Sequence, residues 1–355
     1  MILVVNAGSS SIKVGVFGTD LTEIMAGQVS GIGGALAHLR LGAEDQNVAA
    51  ADHDAALVMI LDSLARQGIE ATALTAAAHR VVHGGTSLVS PCAVDDTVMA
   101  GIEAATPLAP LHNPNNLAGI RALQTLAPGL PQYASFGTAF HAKQPPVATA
   151  YALPKDARSM GIRRYGFHGL SYAWIVTQFG DALPDRLLAF HLGSGASLCA
   201  IQNGVSVATS MGYSPLDGLT MGTRSGAIDG MAVLRLAEIY GAEEAGRLLN
   251  KESGLKGLGG SNDMRLLLAA DTDAARFAID HFCYWAARHG GSAVVAMGGL
   301  DAIAFTGGIG ENAAPIRDRI VEHLALFGDV PVHVVKADEE RQIATDALAL
   351  MKGAA

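Results

Sequence analysis

Displaced by 185 positions, the opening segment 2–16 (ILVVNAGSSSIKVGV) falls on segment 187–201 (LLAFHLGSGASLCAI), so that Asn6 meets His191, Gly8 meets Gly193 and Ser10 meets Gly195. Each copy reads as an apolar strand, a turn of small residues and a second strand; Ile12, Val14 and Val16 alternate with Lys13 and Gly15. Two β-hairpins can look alike by chance. The alternative is a chain of two related halves, each presenting a small-residue turn to a shared cleft. Such turns let successive backbone N–H groups cradle phosphate oxygens, and two of them facing each other would suit a chain of phosphates.

The remaining composition narrows the class. A chain of 355 residues suggests two domains with sizeable cores. Its 42 glycines cluster (Gly84-Gly85, Gly193-Ser194-Gly195, Gly259-Gly260, Gly307-Gly308-Ile309-Gly310) without a Gly-X-Y period, and half the residues are apolar. Collagen-like, low-complexity and disordered chains are excluded. The net charge of −9 carries no basic stripe, so no nucleic-acid or membrane partner is expected. Three scattered cysteines (Cys92, Cys199, Cys283) without CxxC spacing fit a reducing compartment better than a disulfide framework or thiolate metal site. The N-terminus lacks signal-peptide character and no run of 18 apolar residues occurs, which gives the expectation of a cytoplasmic protein.

Helical spacing of Leu57, Ile60, Leu61 and Leu64 behind Asp52 and Asp54 predicts a helix over 54–67. Segments 231–240, 273–297, 312–326 and 338–352 also read as helices, and 330–335 as a strand. Alternating strands and helices place the chain in the α/β class.

Eight ordered motifs then carry a resemblance: NAGSSSIK (6–13), HRVVHGG (79–85), PLHNP (110–114), RRYGFHG (163–169), HLGSGAS (191–197), SMGYSPLDGLTMGTRSG (210–226), FTGGIGEN (305–312) and KADEE (336–340). Together, from residue 2 to about 345, the chain resembles the acetate kinases of the acetate/propionate/butyrate kinase group. The resemblance implies a two-lobed, duplicated α/β fold of the actin, Hsp70 and sugar-kinase kind, with nucleotide in a cleft between the lobes. It divides the chain into a lobe of 1–138 plus 340–355, with the first phosphate turn and part of the acceptor site, and a lobe of 139–339, with the second turn, the adenosine loop and a dimer interface. It further implies a cytoplasmic homodimer that transfers the γ-phosphoryl group of ATP to a small carboxylate with Mg²⁺, Mn²⁺ being the alternative ion.

A carboxylate attacking a phosphoryl group sets anion against anion, so the protein must neutralise charge and hold the groups in line. Arginine forks and a well-placed donor suit that task. By resemblance, Arg80, Arg224 and His168 are catalytic. Arg80, Val82, Leu111, His112, Phe167 and Pro215 surround the acceptor. Lys13, His191, Gly193, Ser194, Gly195, Asp263, Met264, Arg265, Gly307, Gly308, Ile309 and Gly310 bind the nucleotide, with Ser11 a further phosphate contact. Asn6 and Glu339 match the metal environment; for Glu339, the acidic first turn of the last helix is an equally simple reading. Val82, bulkier than the residue associated with propionate-preferring relatives, favours acetate.

Four positions depart from the family pattern. Segment 136–141 reads Phe-Gly-Thr-Ala-Phe-His, with Gly137 where the resemblance leads one to expect an aspartate near the metal and acceptor. No Asp or Glu lies between Glu103 and Asp156 to replace it. Ser194, Ala227 and Thr86 stand where asparagine, aspartate and glutamate are expected. The resulting alternatives are a catalytically impaired nucleotide-binding paralogue and a propionate or butyrate kinase.

Overall fold

The computed structural model describes residues 1–353, which fall into two compact units: Met1–Phe140 with the stretch from Asp338 onward, and His141–Ala337. Each is built on one mixed sheet.

In the first unit, β1 (Ile2–Ala7) lies between an antiparallel neighbour, β2 (Ser11–Phe17), and a parallel one, β6 (Ala76–Val81). A central strand covered on both faces needs apolar residues at consecutive positions, and β1 is buried at all but Asn6. Beyond β2 the sheet continues as an antiparallel meander of β3 (Glu23–Ser30), β4 (Ala37–Leu41) and β5 (Glu44–Val48). Beyond β6 come β8 (Gln132–Phe136), parallel, and the two-residue edge strand β7 (Cys92–Ala93). Helix His53–Arg66 begins where Asp52 accepts the Ala55 N–H at 2.8 Å, and it buries Leu57, Ile60 and Leu64 against Leu3, Val5 and Val14. Helix Glu339–Met351 packs on β1, β2, β6 and β8.

The second unit orders its strands β11 (Val205–Thr209), β10 (Ala196–Gln202), β9 (Arg186–Leu192), β12 (Ala302–Thr306) and β13 (Val332–Val334). These repeat β3-β2-β1-β6-β8 in order and in sense, strand for strand. The registers repeat as well: Ile2 pairs with Ala76 as Leu187 pairs with Ala302, and Ala77 with Gln132 as Ile303 with Val332. Chance likeness of two hairpins would not extend across three further strand pairings, so the chain is an internal duplication.

The repeat corrects the displacement of 185 in one detail. Ala7 pairs with Ile12 across a turn of four residues, whereas Leu192 pairs with Ala196 across three. The Gly8 N–H closes its turn on the Ser11 carbonyl at 2.7 Å and the Gly193 N–H closes on Gly195 at 3.0 Å. Ser11, not Ser10, therefore occupies the place of Gly195.

The expected helices stand as His53–Arg66, Gly230–Tyr240, Asp273–Met297, Ala314–Leu324 and Glu339–Met351, and 330–335 shortens to β13. One segment differs in type. The glycine-rich stretch after β12, expected as a loop, is the short helix Gly307–Asn312, reached through Gly307 at φ +81°.

Candidate active site

In a parallel arrangement, side chains at the carboxyl ends of the strands face the ligand side of the sheet. The first unit places a polar row there. Lys13 pairs with Asn6 across β1 and β2, and Arg80 pairs with Ser135 across β6 and β8. Asn6 lies one register step beyond the Val5–His79 pair, which brings it level with Arg80. Helix Glu339–Met351 covers this row at two points two turns apart. Arg80 Nε donates to Glu339 Oε2 at 3.2 Å, and Ser135 Oγ donates to Asp346 Oδ2 at 2.7 Å. Glu339 is an acidic first-turn residue of this helix, the simpler of its two readings, and in addition it holds the guanidinium of Arg80.

The segment after Arg80 is held by asparagines. Asn116 accepts the Val82 N–H at 3.0 Å and donates to the Ala7 carbonyl at 2.7 Å, joining the ends of β6 and β1. Asn113 accepts the His83 N–H and donates back to the His83 carbonyl. Both lie in helix Asn113–Leu126, at the PLHNP motif, while Leu111 and His112 precede that helix and are exposed. Neither asparagine was singled out from sequence, although their three-residue spacing puts them on one helix face.

Gly137 follows β8 and donates its N–H to the Val81 carbonyl at 2.8 Å. A Cβ there would stand 3.0 Å from the Val82 carbonyl, so a side chain enters with a shift of a few tenths of an ångström. The acid-free stretch meets one carboxylate of the C-terminal helix, Asp346 at Ser135, while Glu339 of the same helix meets Arg80, the register partner of Ser135. Burial pushes the Asp346 carboxyl above its ordinary pKa, against hydrogen bonds from Ser135 and Gln342.

The second unit gathers its own set around the turn 193–195. His168 caps helix Gly169–Phe179 in the left-handed conformation (φ +57°), a strained setting for a non-glycine residue and one that clusters at functional positions. Its ring stacks on His191, with centroids 4.2 Å apart. Its Nδ1 lies 2.8 Å from Ser197 Oγ, and His191 Nδ1 lies 2.8 Å from Ser171 Oγ. A Cβ at Gly195 would meet His168 Nε2 at 3.3 Å and Arg224 Nη1 at 3.5 Å, so the absent side chain leaves a space bounded by an imidazole and a guanidinium nitrogen. Arg224 donates to the Pro215 carbonyl at 3.1 Å. Among the described residues no carboxylate pairs with it, and burial lowers its pKa. A desolvated arginine without a counter-ion is a receptor for an anion.

Beside that turn opens a cavity of about 760 Å³, within the range of small-molecule sites. Gly193, Ser194, Asp263, Met264, Arg265, Gly308 and Ile309 line it, joined by Asn262, Leu268, Asn312 and Ala313, which were not among the expected residues. Gly307 and Gly310 are instead buried beside β9, where a Cβ on Gly307 would meet the Leu192 carbonyl at 2.8 Å. Asp263 caps helix Met264–Ala269 and pairs with Arg265 in two bonds of 3.0 and 2.6 Å, which drives its pKa to about 2. Glu311 fixes the loop on the far side by accepting the Gly307 and Ala337 N–H groups. Of the expected acceptor residues, Val82 and Leu111 belong to the first unit and Phe167 and Pro215 to the second, where Phe167 is part of the core.

A family model described as the Acetokinase family matches residues 1–348. The chain belongs to the acetokinase family. Acetate kinase from Nitrobacter hamburgensis is 41% identical over 389 aligned positions, covering 99% of this chain and 96% of that one. A propionate kinase from Yersinia enterocolitica is also 41% identical, over 98% of this chain and 95% of its own. The crystal structure of acetate kinase from Porphyromonas gingivalis superposes with a TM-score of 0.93 at 33% identity, covering 99% of each chain. Acetokinase membership and the duplicated two-sheet fold therefore agree.

Metal fit can be tested on the donors present. Among the described residues no group of three His, Cys, Asp or Glu side chains is spaced to hold an ion. The Asn6 amide and the Glu339 carboxylate, with one oxygen on Arg80, still fit a hard cation that keeps most of its waters and takes one or two protein oxygens beside phosphate. No helix among the described residues is long and apolar enough to cross a membrane.

Proposed function

We propose that this acetokinase transfers the γ-phosphoryl group of ATP to acetate, giving acetyl phosphate and ADP by direct in-line displacement. The observation that carries the reading is the convergence of Arg224 Nη1 and His168 Nε2 on Gly195, in a turn that borders the 760 Å³ cavity. An acetate oxygen forms the new bond to phosphorus while the bond to the β–γ bridging oxygen breaks, and ADP leaves with that electron pair. No proton needs to move. Catalysis then consists of alignment and of donors aimed at the equatorial oxygens, the work assigned to His168 and Arg224. Arg80, held by Glu339, binds the acetate carboxylate, with His112 in support and Val82, Leu111, Phe167 and Pro215 around the methyl group.

The adenosine binds in the cavity between Asp263-Met264-Arg265 and Gly308-Ile309, the phosphates run along Gly193-Ser194-Gly195 beside His191, and Lys13 is the first unit's own phosphate contact. Asn6 and Glu339 would hold Mg²⁺, or Mn²⁺ in its place, which neutralises phosphate charge when bound. Val82 favours acetate over propionate or butyrate, though one methylene is worth only about 1–3 kcal/mol.

Gly137 supports a second reading, a nucleotide-binding paralogue with little turnover. Calorimetry with ADP together with trapping of acyl phosphate by hydroxylamine separates the two. Binding with turnover supports the kinase, and binding with none at saturating ATP, Mg²⁺ and any of the three carboxylates supports the paralogue.

We further propose a cytoplasmic homodimer formed through helix Gly230–Tyr240. This helix of eleven residues buries none of them, and Met231, Leu234, Ile239 and Tyr240 are each more than half exposed. An apolar face of that kind needs a cover. Sedimentation of wild type should give twice the chain mass, and Leu234→Glu should reduce it to one; a monomeric wild type overturns this assignment.

A further inference from the structure

The parallel pairing of β1 with β6 runs from Ile2–Ala76 to Val5–His79 and stops there, although β1 continues to Ala7 and β6 to Val81. Strand ends that no longer pair leave a crevice at the carboxyl edge of a sheet, where sheets of this kind take their ligands. The first phosphate turn, between Ala7 and Ile12, leaves one of these ends. The acceptor segment Arg80–Val82 leaves the other.

A single buried amide spans that gap. Asn116 is 2% exposed; its Oδ1 accepts the Val82 N–H at 3.0 Å and its Nδ2 donates to the Ala7 carbonyl at 2.7 Å. Both partners are one-way groups, a backbone N–H that only donates and a carbonyl that only accepts, so one orientation of the amide satisfies them. The side chain thus stands in for the missing strand-to-strand bond with a peptide-like group of fixed length. The next carbonyl along the turn, that of Gly8, lies 2.7 Å from His53 Nε2, which donates to it. The His53 bond reaches the turn, whereas the Asn116 amide reaches turn and acceptor segment together.

The helix that carries Asn116 is seated for this contact. Leu117, Ile120 and Leu123 are buried and anchor it. Gly119, three residues on from Asn116 and so on the same face, would set a Cβ 3.3 Å from the Ala7 Cβ. A glycine in mid-helix is unfavourable on its own account. Here it lets the helix close on the end of β1 to the distance that the short Asn116 side chain can bridge.

We propose that Asn116 is a positioning residue that fixes the spacing between the first phosphate turn and the acceptor segment, holding the groups that meet phosphate and the group that meets carboxylate in one frame. The proposal rests on the phosphotransfer reading for its purpose, but the bridge itself is a property of the free protein. Arg80 lies two residues before Val82, and Lys13 pairs with Asn6, the neighbour of Ala7, so each end of the bridge is close to a residue assigned to one substrate. In-line transfer depends steeply on the separation of the reacting atoms, which ties the rate to that spacing.

The test combines kinetics with amide hydrogen exchange on the full-length protein. Asn116→Leu removes both bonds, and Asn116→Gln keeps both groups but lengthens the bridge by one methylene. In the acyl-phosphate assay each should lower kcat about tenfold and raise KM for acetate and for ATP together, by about threefold or more. A loss of folded protein alone would lower kcat and leave both KM values where they were. Gly119→Ala keeps every polar group and forces helix and β1 apart by a few tenths of an ångström, so it should also raise KM for acetate. Unchanged KM for acetate in Asn116→Leu, or in Gly119→Ala should the Asn116 variants fail to fold, overturns the proposal, as do wild-type kinetics in Asn116→Gln. His53→Phe, which releases the turn and not the acceptor segment, should raise KM for ATP about threefold and leave KM for acetate within about twofold; equal rises overturn the coupling assigned to Asn116. Exchange of the Val82 amide should be at least about tenfold faster in Asn116→Leu, and unchanged protection overturns the bridge. A wild type that makes no acyl phosphate but shows this change at Val82 overturns the functional reading and leaves the bridge standing.

Discussion

Arg80 and Glu339, 259 residues apart in sequence, meet at 3.2 Å between the end of β6 and the first turn of the C-terminal helix. Each is about one-fifth exposed, so the pair sits at a boundary where water still reaches it. Glu339 accepts only at Nε and leaves the terminal nitrogens of the guanidinium fork for an incoming carboxylate. Arg80→Ala should therefore lower kcat/KM for acetate at least about a hundredfold, and Arg80→Lys nearly as much, because a point charge lacks the fork. Steady-state kinetics with acetate as the varied substrate check this. Retention of activity in Arg80→Lys would contradict the bidentate role.

Gly137 has room for a Cβ once the Val82 carbonyl yields by a few tenths of an ångström, and its φ lies outside the left-handed region. Gly137→Asp should therefore fold and restore a carboxylate at the position where the resemblance places one. We expect kcat to rise about tenfold or more, with Gly137→Ala giving no rise. The pair of variants separates the charge from the added bulk. An unchanged rate in Gly137→Asp would mean that Glu339 or another group already does this work.

The glycines of Gly307–Asn312 have different jobs, and substitution should divide them. Gly308 has nothing within 4 Å of a Cβ and lines the cavity. Gly308→Phe should leave the melting temperature within about 2 °C and raise KM for ATP about tenfold by filling the nucleoside space. Gly307 sits at φ +81° with the Leu192 carbonyl 2.8 Å from a Cβ. Gly307→Ala should cost about 1–3 kcal/mol of stability through its backbone alone. Thermal melts and ATP titrations on both variants test the division.

Acid should loosen the protein well above the carboxylate range. His79, against Gln132, and His141, between Ser206 and the Phe167 carbonyl, are buried, and desolvation lowers the pKa of each from 6.5 to about 4. A depressed folded-state pKa contributes stability that is present above 6.5 and is lost as pH falls toward 4. Each group removes up to about 1.4 kcal/mol per pH unit across that window. Urea midpoints should fall between pH 6.5 and 4.5, and His79→Gln should flatten the slope. A midpoint independent of pH over this range contradicts the assignment.

The sequence reading reached furthest where a constraint is local. Apolar continuity in Ile2–Val5, the cap at Asp52 and the small-residue turns are each legible within a dozen residues. The duplication was visible at its first hairpin, but its one-residue difference in turn length was not, because small residues on both sides tolerate either alignment. The meander β3–β5 escaped notice because only its short middle strand, β4, buries most of its residues. In the candidate site, the arginines and histidines carry motif signals. Ser197, Asn113 and Glu311 stand inside the quoted motifs and Tyr172 and Asn116 just beyond them, but the partners that make them holders lie mostly on other elements, which the motifs do not reveal. Asp346 was within reach: it stands seven residues after Glu339 on one helix, which places both on the face that meets β6 and β8.

The most direct test of the central claim is to incubate the purified chain with saturating ATP, Mg²⁺ and acetate and trap acyl phosphate with hydroxylamine. The account predicts hydroxamate formation that matches ADP production one for one, is greater with acetate than with propionate or butyrate, and is lost in Arg224→Ala. ADP release without hydroxamate, or no signal with any of the three carboxylates, would contradict it.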